Sequence, residues 1–121
     1  MKDHMELVKF NKDGGIVTVQ VSVNGLAAWK YKYVTNGHHI DKSSLDQRPS
    51  IHALGLPHEL ESSIHTWEIQ LGNTSGTVQG YRVAVTWEQD GHELHTWSKT
   101  GTLATILPDK VESDSALLDG A

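Results

Sequence analysis

Apolar and polar positions alternate with a period of two along most of this chain. In GIVTVQVSVNG, Val17, Val19, Val21 and Val23 fall on one face and Thr18, Gln20 and Ser22 on the other, as a strand buried on one side requires. The next segment, AAWKYKYV, sets Trp29, Tyr31 and Tyr33 against Lys30 and Lys32, and Asn24-Gly25 between the two predicts a hairpin. A two-residue loop there would put Val19 opposite Lys30. A three-residue loop, Val23-Asn24-Gly25, puts Val19 opposite Trp29 and Val17 opposite Tyr31, so that valines and aromatics share one side, and this is the register expected.

The same grammar recurs in TVQGYRVAVTWEQDGHELHTWSK, where Tyr81, Val83, Val85 and Trp87 share one face and Arg82, Thr86 and Glu88 the other. A two-residue loop at its turn would pair Trp87 with Leu94 and send Trp97 outward. A three-residue loop, Gln89-Asp90-Gly91, pairs Val85 with His95 and Val83 with Trp97, facing the core. Burying a tryptophan removes more apolar surface from water than burying a leucine, which favours the three-residue loop.

Further strands are expected at 5–11, joined through KDGG to the valine strand, at 63–71 and at 101–107, with Gly80 marking a bulge. About seven short strands at this length predict an all-β fold, an antiparallel two-layer β-sandwich, with a small β-barrel as the alternative. Residues 35–63 break the period. They contain Pro49, Pro57, Gly37 and Gly55, and read as a long loop with a short helical turn starting at Pro57. The acidic segment 109–121 reads as a frayed, flexible tail, leaving 1–108 as a single domain.

Composition narrows the function classes. The chain has 121 residues and no cysteine, which excludes a disulfide scaffold, a thiolate nucleophile and a cysteine zinc site. Its net charge is −5, of which the segment after Pro108 carries −3. No basic face for phosphate is evident, so no nucleic-acid partner is expected. The N-terminus lacks the apolar core of a signal peptide and no run reaches membrane-spanning length, so no membrane association is expected and the compartment is cytoplasmic as written, although a removed leader would leave no trace.

Histidine is the enriched reactive residue, with eight copies. Four of them, His38, His39, His52 and His58, lie in the long connection. Imidazole is a common metal ligand, but the spacing matches no ligand motif, and neither metal nor cofactor is expected. GHELH at 91–95 differs from the zincin pattern H-E-x-x-H: its histidines are three apart and follow a turn in a strand. The Lys-Thr-Gly of SKTG has no accompanying S-x-x-K nucleophile, and Asn73-Thr74-Ser75 fits a glycosylation acceptor without a secretory signal. Glu59 with Glu61 and Glu88 with Glu93 read as solvated acids, not a glycosidase pair.

The tripeptide HTW occurs twice, at 65–67 and 95–97. Strand periodicity puts His65 on the face of Trp67, Ile69 and Leu71, the expected core face. The second copy matches it only if Trp97 turns inward; an outward Trp97 would form an exposed aromatic surface suited to a sugar or a protein. The sequence therefore predicts a noncatalytic sandwich module that binds a protein or carbohydrate partner through end loops, with His38, His39, His52, His58 and Trp97 as candidate binding residues. The alternatives are a small metal- or histidine-dependent enzyme using loop histidines with His65 or His95, and a structural subunit of a homo-oligomer paired through edge strands.

Overall fold

The structure is a computed structural model describing residues 5–25, 28–35, 38–44, 50–73, 77–104 and 110–120. Among these are nine strands and one helical turn: β1 (Glu6–Phe10), β2 (Val17–Asn24), β3 (Ala28–Thr35), β4 (His38–Ser44), β5 (Ser50–Gly55), α1 (Pro57–Leu60), β6 (Ser63–Gly72), β7 (Gln79–Gln89), β8 (His92–Leu103) and β9 (Lys110–Gly120). They form two sheets, one ordered β1-β9-β6-β3-β4 and the other β5-β2-β7-β8. Every pairing is antiparallel except that of β1 with β9. The fold is the expected β-sandwich, open and not a closed barrel, with nine strands where about seven were anticipated. No helix among the described residues is long and apolar enough to cross a membrane.

The faces read from the alternation are the buried ones. Val17, Val19, Val21 and Val23 on β2, Trp29, Tyr31 and Tyr33 on β3, and Tyr81, Val83, Val85 and Trp87 on β7 all line the core. The β2–β3 hairpin, however, does not form. β2 pairs with β5 and β7, β3 with β4 and β6, and the chain crosses between sheets after Asn24. Valines and aromatics share the core by stacking face to face, as two apolar sheet faces do in a sandwich. Alternation specifies the buried face of a strand and is silent on which sheet holds it. Gly25 makes the crossing possible, with φ of +96° and a position where a Cβ would lie 2.2 Å from the Gly80 carbonyl oxygen. Gly80 itself is in regular register opposite Thr102, without the expected bulge.

The β7–β8 hairpin turns on two residues, Asp90 and Gly91, with φ of 51° and 78°. Positive φ at both central positions is the tight turn whose twist suits a hairpin. Gln89 then pairs with His92 and Glu88 with Glu93, but Trp87 pairs with His95 because the register shifts there. The extra residue, Leu94, restores the parity that a two-residue turn would have lost. Trp97 pairs with Val85 and is 4% exposed. It faces inward as expected, by way of a bulge instead of a three-residue loop.

The described residues of 35–63 do not form one long loop: they supply β4, β5 and α1, the last starting at Pro57 as expected. β4 and β5 are edge strands with one neighbour each, so little apolar patterning is needed to hold them. Nor is Lys110–Gly120 a frayed tail. β9 pairs with β6 over Lys110–Leu118 and with β1 over Ala116–Gly120, and Asp114, Ala116 and Leu118 are buried. The C-terminal segment is thus an interior strand of the larger sheet. Of the strand expected at 101–107, residues 101–103 are the end of β8 and 105–107 lie outside the described residues.

Candidate functional site

His65 is the residue whose burial most constrains chemistry. It sits on β6 opposite Thr35 of β3 and Ala116 of β9, 0% exposed. Ser63 Oγ donates to the Leu60 carbonyl at 2.7 Å, so its contact of 2.7 Å with His65 Nε2 requires that Nε2 carry the proton and donate. Nδ1 is then the acceptor for the Tyr33 hydroxyl at 2.6 Å, and the Tyr33 oxygen accepts from Trp87 Nε1 at 3.0 Å. Thr35 Oγ1 lies 3.1 Å from Nε2. One tautomer satisfies the chain from indole to phenol to imidazole to hydroxyl to carbonyl.

Burial lowers the His65 pKa to about 4 and pushes the Tyr33 phenol well above its ordinary range, with the Trp87 bond opposing in part. His65 is a neutral core residue. Ser63 gives its proton to a carbonyl and receives one from His65, the reverse of a nucleophile activated by a base.

The two HTW copies meet in one aromatic cluster. Trp67 packs edge-on against Trp97 at 5.2 Å and Trp87 at 5.3 Å, and stacks on Tyr33 at 6.1 Å. Trp67 Nε1 is buried without an acceptor. Trp97 Nε1 donates to Asp114 Oδ2 at 2.9 Å.

That last bond belongs to a series joining the sheets along the β8–β9 side. His95 Nε2 lies 2.8 Å from Glu6 Oε1, and the Tyr81 hydroxyl donates to Glu112 Oε2 at 2.5 Å. Burial first, then the bond to Glu112 and its charge, raise the Tyr81 phenol above its ordinary range. Three carboxylates from β1 and β9 thus each meet a ring from β7 or β8. Beside them opens a cleft of about 660 Å³ whose walls include Glu6, Trp97, Lys99, Glu112 and Asp114.

β8 forms the rim of this cleft and one edge of its sheet. Among the described residues it pairs with β7 alone. The other edge strands, β1, β4 and β5, have 5, 7 and 6 residues, while β8 has 12. Short edges are a common protection against pairing with other chains, and β8 lacks it. Past the bulge, Thr96, Ser98, Thr100 and Thr102 carry hydroxyls on the outer face, and Thr96 Oγ1 lies 3.1 Å from Thr86 Oγ1 across the ladder. Lys99 is the only charge from His95 to Leu103 and Ser98, Lys99, Thr100 and Thr102 are exposed. Elsewhere, on the outer face of the larger sheet, register aligns Leu7, Leu117 and Ile64, with Leu7 and Ile64 about half-exposed.

The candidate residues from the sequence are spread over four elements. His52 on β5 is half-buried, its Nε2 2.7 Å from the Tyr31 hydroxyl. His58 is exposed on α1, and His38 and His39 open β4 opposite Thr35 and Val34. Trp97 belongs to β8, at the opposite edge of the smaller sheet from β5, and as a core residue it is not a ligand platform, because the Leu94 bulge turns it inward. No group of three or more potential metal-ligating side chains occurs among the described residues. Sequence reasoning missed the Glu6, Tyr81, Glu112 and Asp114 ties. A signal was present for two of them: Glu112, Asp114, Ala116 and Leu118 share one strand face, the last two plainly apolar.

Comparisons with known protein families, with curated proteins and with solved structures find no match.

Proposed function

We propose that this chain is a noncatalytic protein-interaction module that receives an extended segment of its partner along β8. The carrying observation is the 12-residue edge strand paired on one side only among the described residues. A sheet edge binds an extended segment through main-chain hydrogen bonds, with alternate side chains giving selectivity. The reactive groups are otherwise engaged: His65 is enclosed, and Glu6, Glu112 and Asp114 each hold a ring of the facing sheet. A protein is favoured over a carbohydrate because every Trp, Tyr and Phe of the chain is at most 5% exposed, leaving no ring for a sugar to stack on.

The test is photo-crosslinking in cells making the protein, with a photoreactive residue at Thr100 on the edge or at Thr18 on the interior strand β2. Discrete protein adducts are expected from position 100 and not from 18, and Ser98→Lys should abolish them without altering the circular dichroism. Identical patterns from both positions, or none from either, would sink the reading.

A further inference from the structure

We propose that the segment received by β8 is β8 of a second copy of this chain, in an antiparallel pair whose two-fold axis passes through Ser98. The proposal rests on the strand-acceptor reading and adds the identity of the partner and the register. Two identical edges related by a two-fold must run antiparallel, and in such a pair directly opposed side chains lie on the same face. With Ser98 on the axis, Thr96 faces Thr100 of the partner subunit, which repeats on the outer face the hydroxyl pairing already made by Thr86 and Thr96.

On the inner face the same register brings Lys99 of the partner subunit opposite Trp97. The Trp97 indole is bonded to Asp114, and the cleft it borders also holds Glu6 and Glu112, with this copy's own Lys99 as the one basic group on its wall. Each lysine therefore approaches an acid-lined cleft of the other copy, reciprocally, and opposite charges are brought together in a partly enclosed place. Two kinds of neighbouring register lose this. Centring on Lys99 opposes two lysines, which is destabilising, and a shift of half a residue pair opposes inward with outward side chains. The bulge at Leu94 ends regular pairing on the hairpin side, so the seven residues from His95 to Gly101 pair, and the two four-stranded sheets become one of eight strands. Pairing of this length buries less than a standard interface of about 800 Å² per partner, so the dimer should be weak and its population concentration-dependent.

The chain has no cysteine, so an introduced thiol has no competitor. Ser98→Cys should yield a disulfide-linked dimer under mild oxidation, since opposed Cβ atoms lie about 4.5–5.5 Å apart. Thr96→Cys mixed with Thr100→Cys should link as a heterodimer, and Thr18→Cys should not link. Sedimentation velocity should show dimer growing with concentration, with Lys99→Glu weakening association about tenfold or more and Lys99→Arg preserving it. Tryptophan fluorescence would confirm that each variant is folded. A strict monomer at all concentrations would overturn the second copy as partner, and adducts at position 100 would in that case still uphold the strand-acceptor reading. A dimer that Ser98→Cys fails to trap would overturn the register.

Discussion

Protonating His65 should unlock the core, and the size of the effect follows from its surroundings. The ring is held neutral with Nε2–H donating to Ser63 and Nδ1 accepting from Tyr33. A proton added at Nδ1 would turn its acceptor into a donor and leave the Tyr33 hydroxyl hydrogen without its partner. The pKa falls from 6.5 to about 4 in the fold because burial penalises the cation. The unfolded chain therefore binds the proton more readily than the native one between those values, so stability is full above about pH 6.5 and is lost as pH falls toward 4. Each tenfold rise in proton concentration across that window removes about 1.4 kcal/mol, so the loss approaches roughly 3 kcal/mol by pH 4, with roughly half of it already gone near pH 5.5. The assay is urea denaturation from pH 7 to pH 4 for the native chain and His65→Gln. The variant should be weaker by about 1–3 kcal/mol at pH 7, and the gap between the two should shrink or invert as the pH is lowered. Parallel stability curves would refute the reasoning, because carboxylate titration is common to both proteins and cancels in the difference.

Further outcomes follow from the backbone. Gly25→Ala should cost about 2 kcal/mol or more in chemical denaturation, since a Cβ would combine a strained φ with a 2.2 Å approach to the Gly80 carbonyl oxygen. Gly91→Asn, where a Cβ meets nothing within 4 Å, should stay within about 1 kcal/mol, because asparagine tolerates the left-handed conformation. Truncation after Pro108 should abolish the cooperative thermal transition seen by circular dichroism, because it removes the strand between β1 and β6; retention of that transition would contradict the role given to β9. Deleting Leu94 should turn Trp97 to solvent, shift tryptophan emission to the red and destabilise the fold by about 3 kcal/mol or more.

The alternation in β2, β3, β6 and β7 made their buried faces legible, because valines and aromatics on a period of two have one reading. Which strands were neighbours was not legible. Asn24-Gly25 looked like a hairpin, yet the same left-handed glycine serves a crossing between sheets, and local turn chemistry does not separate the two. β9 was hidden by Glu112 and Asp114, whose inward carboxylates are satisfied by Tyr81 and Trp97 far away in sequence. The inward Trp97 was correctly anticipated from burial, but the bulge producing it has no local signature beyond one residue of surplus length. Of the candidate site, the first part of β8 was legible as the second arm of a hairpin, whereas its continuation to Leu103 was not, because 101–107 reads as a strand of its own. That β8 ends its sheet depended on long-range pairings that periodicity does not encode.

The pairing of β1 with β9 has a mechanical consequence. These strands are parallel and adjacent through five residue pairs, from Glu6 with Ala116 to Phe10 with Gly120. A tension applied through the segments flanking them would draw β1 and β9 in opposite directions along a shared axis. The load would fall on their ladder in shear, all at once, instead of peeling it open one bond at a time, and the outermost seam of the larger sheet would be the first element to resist extension.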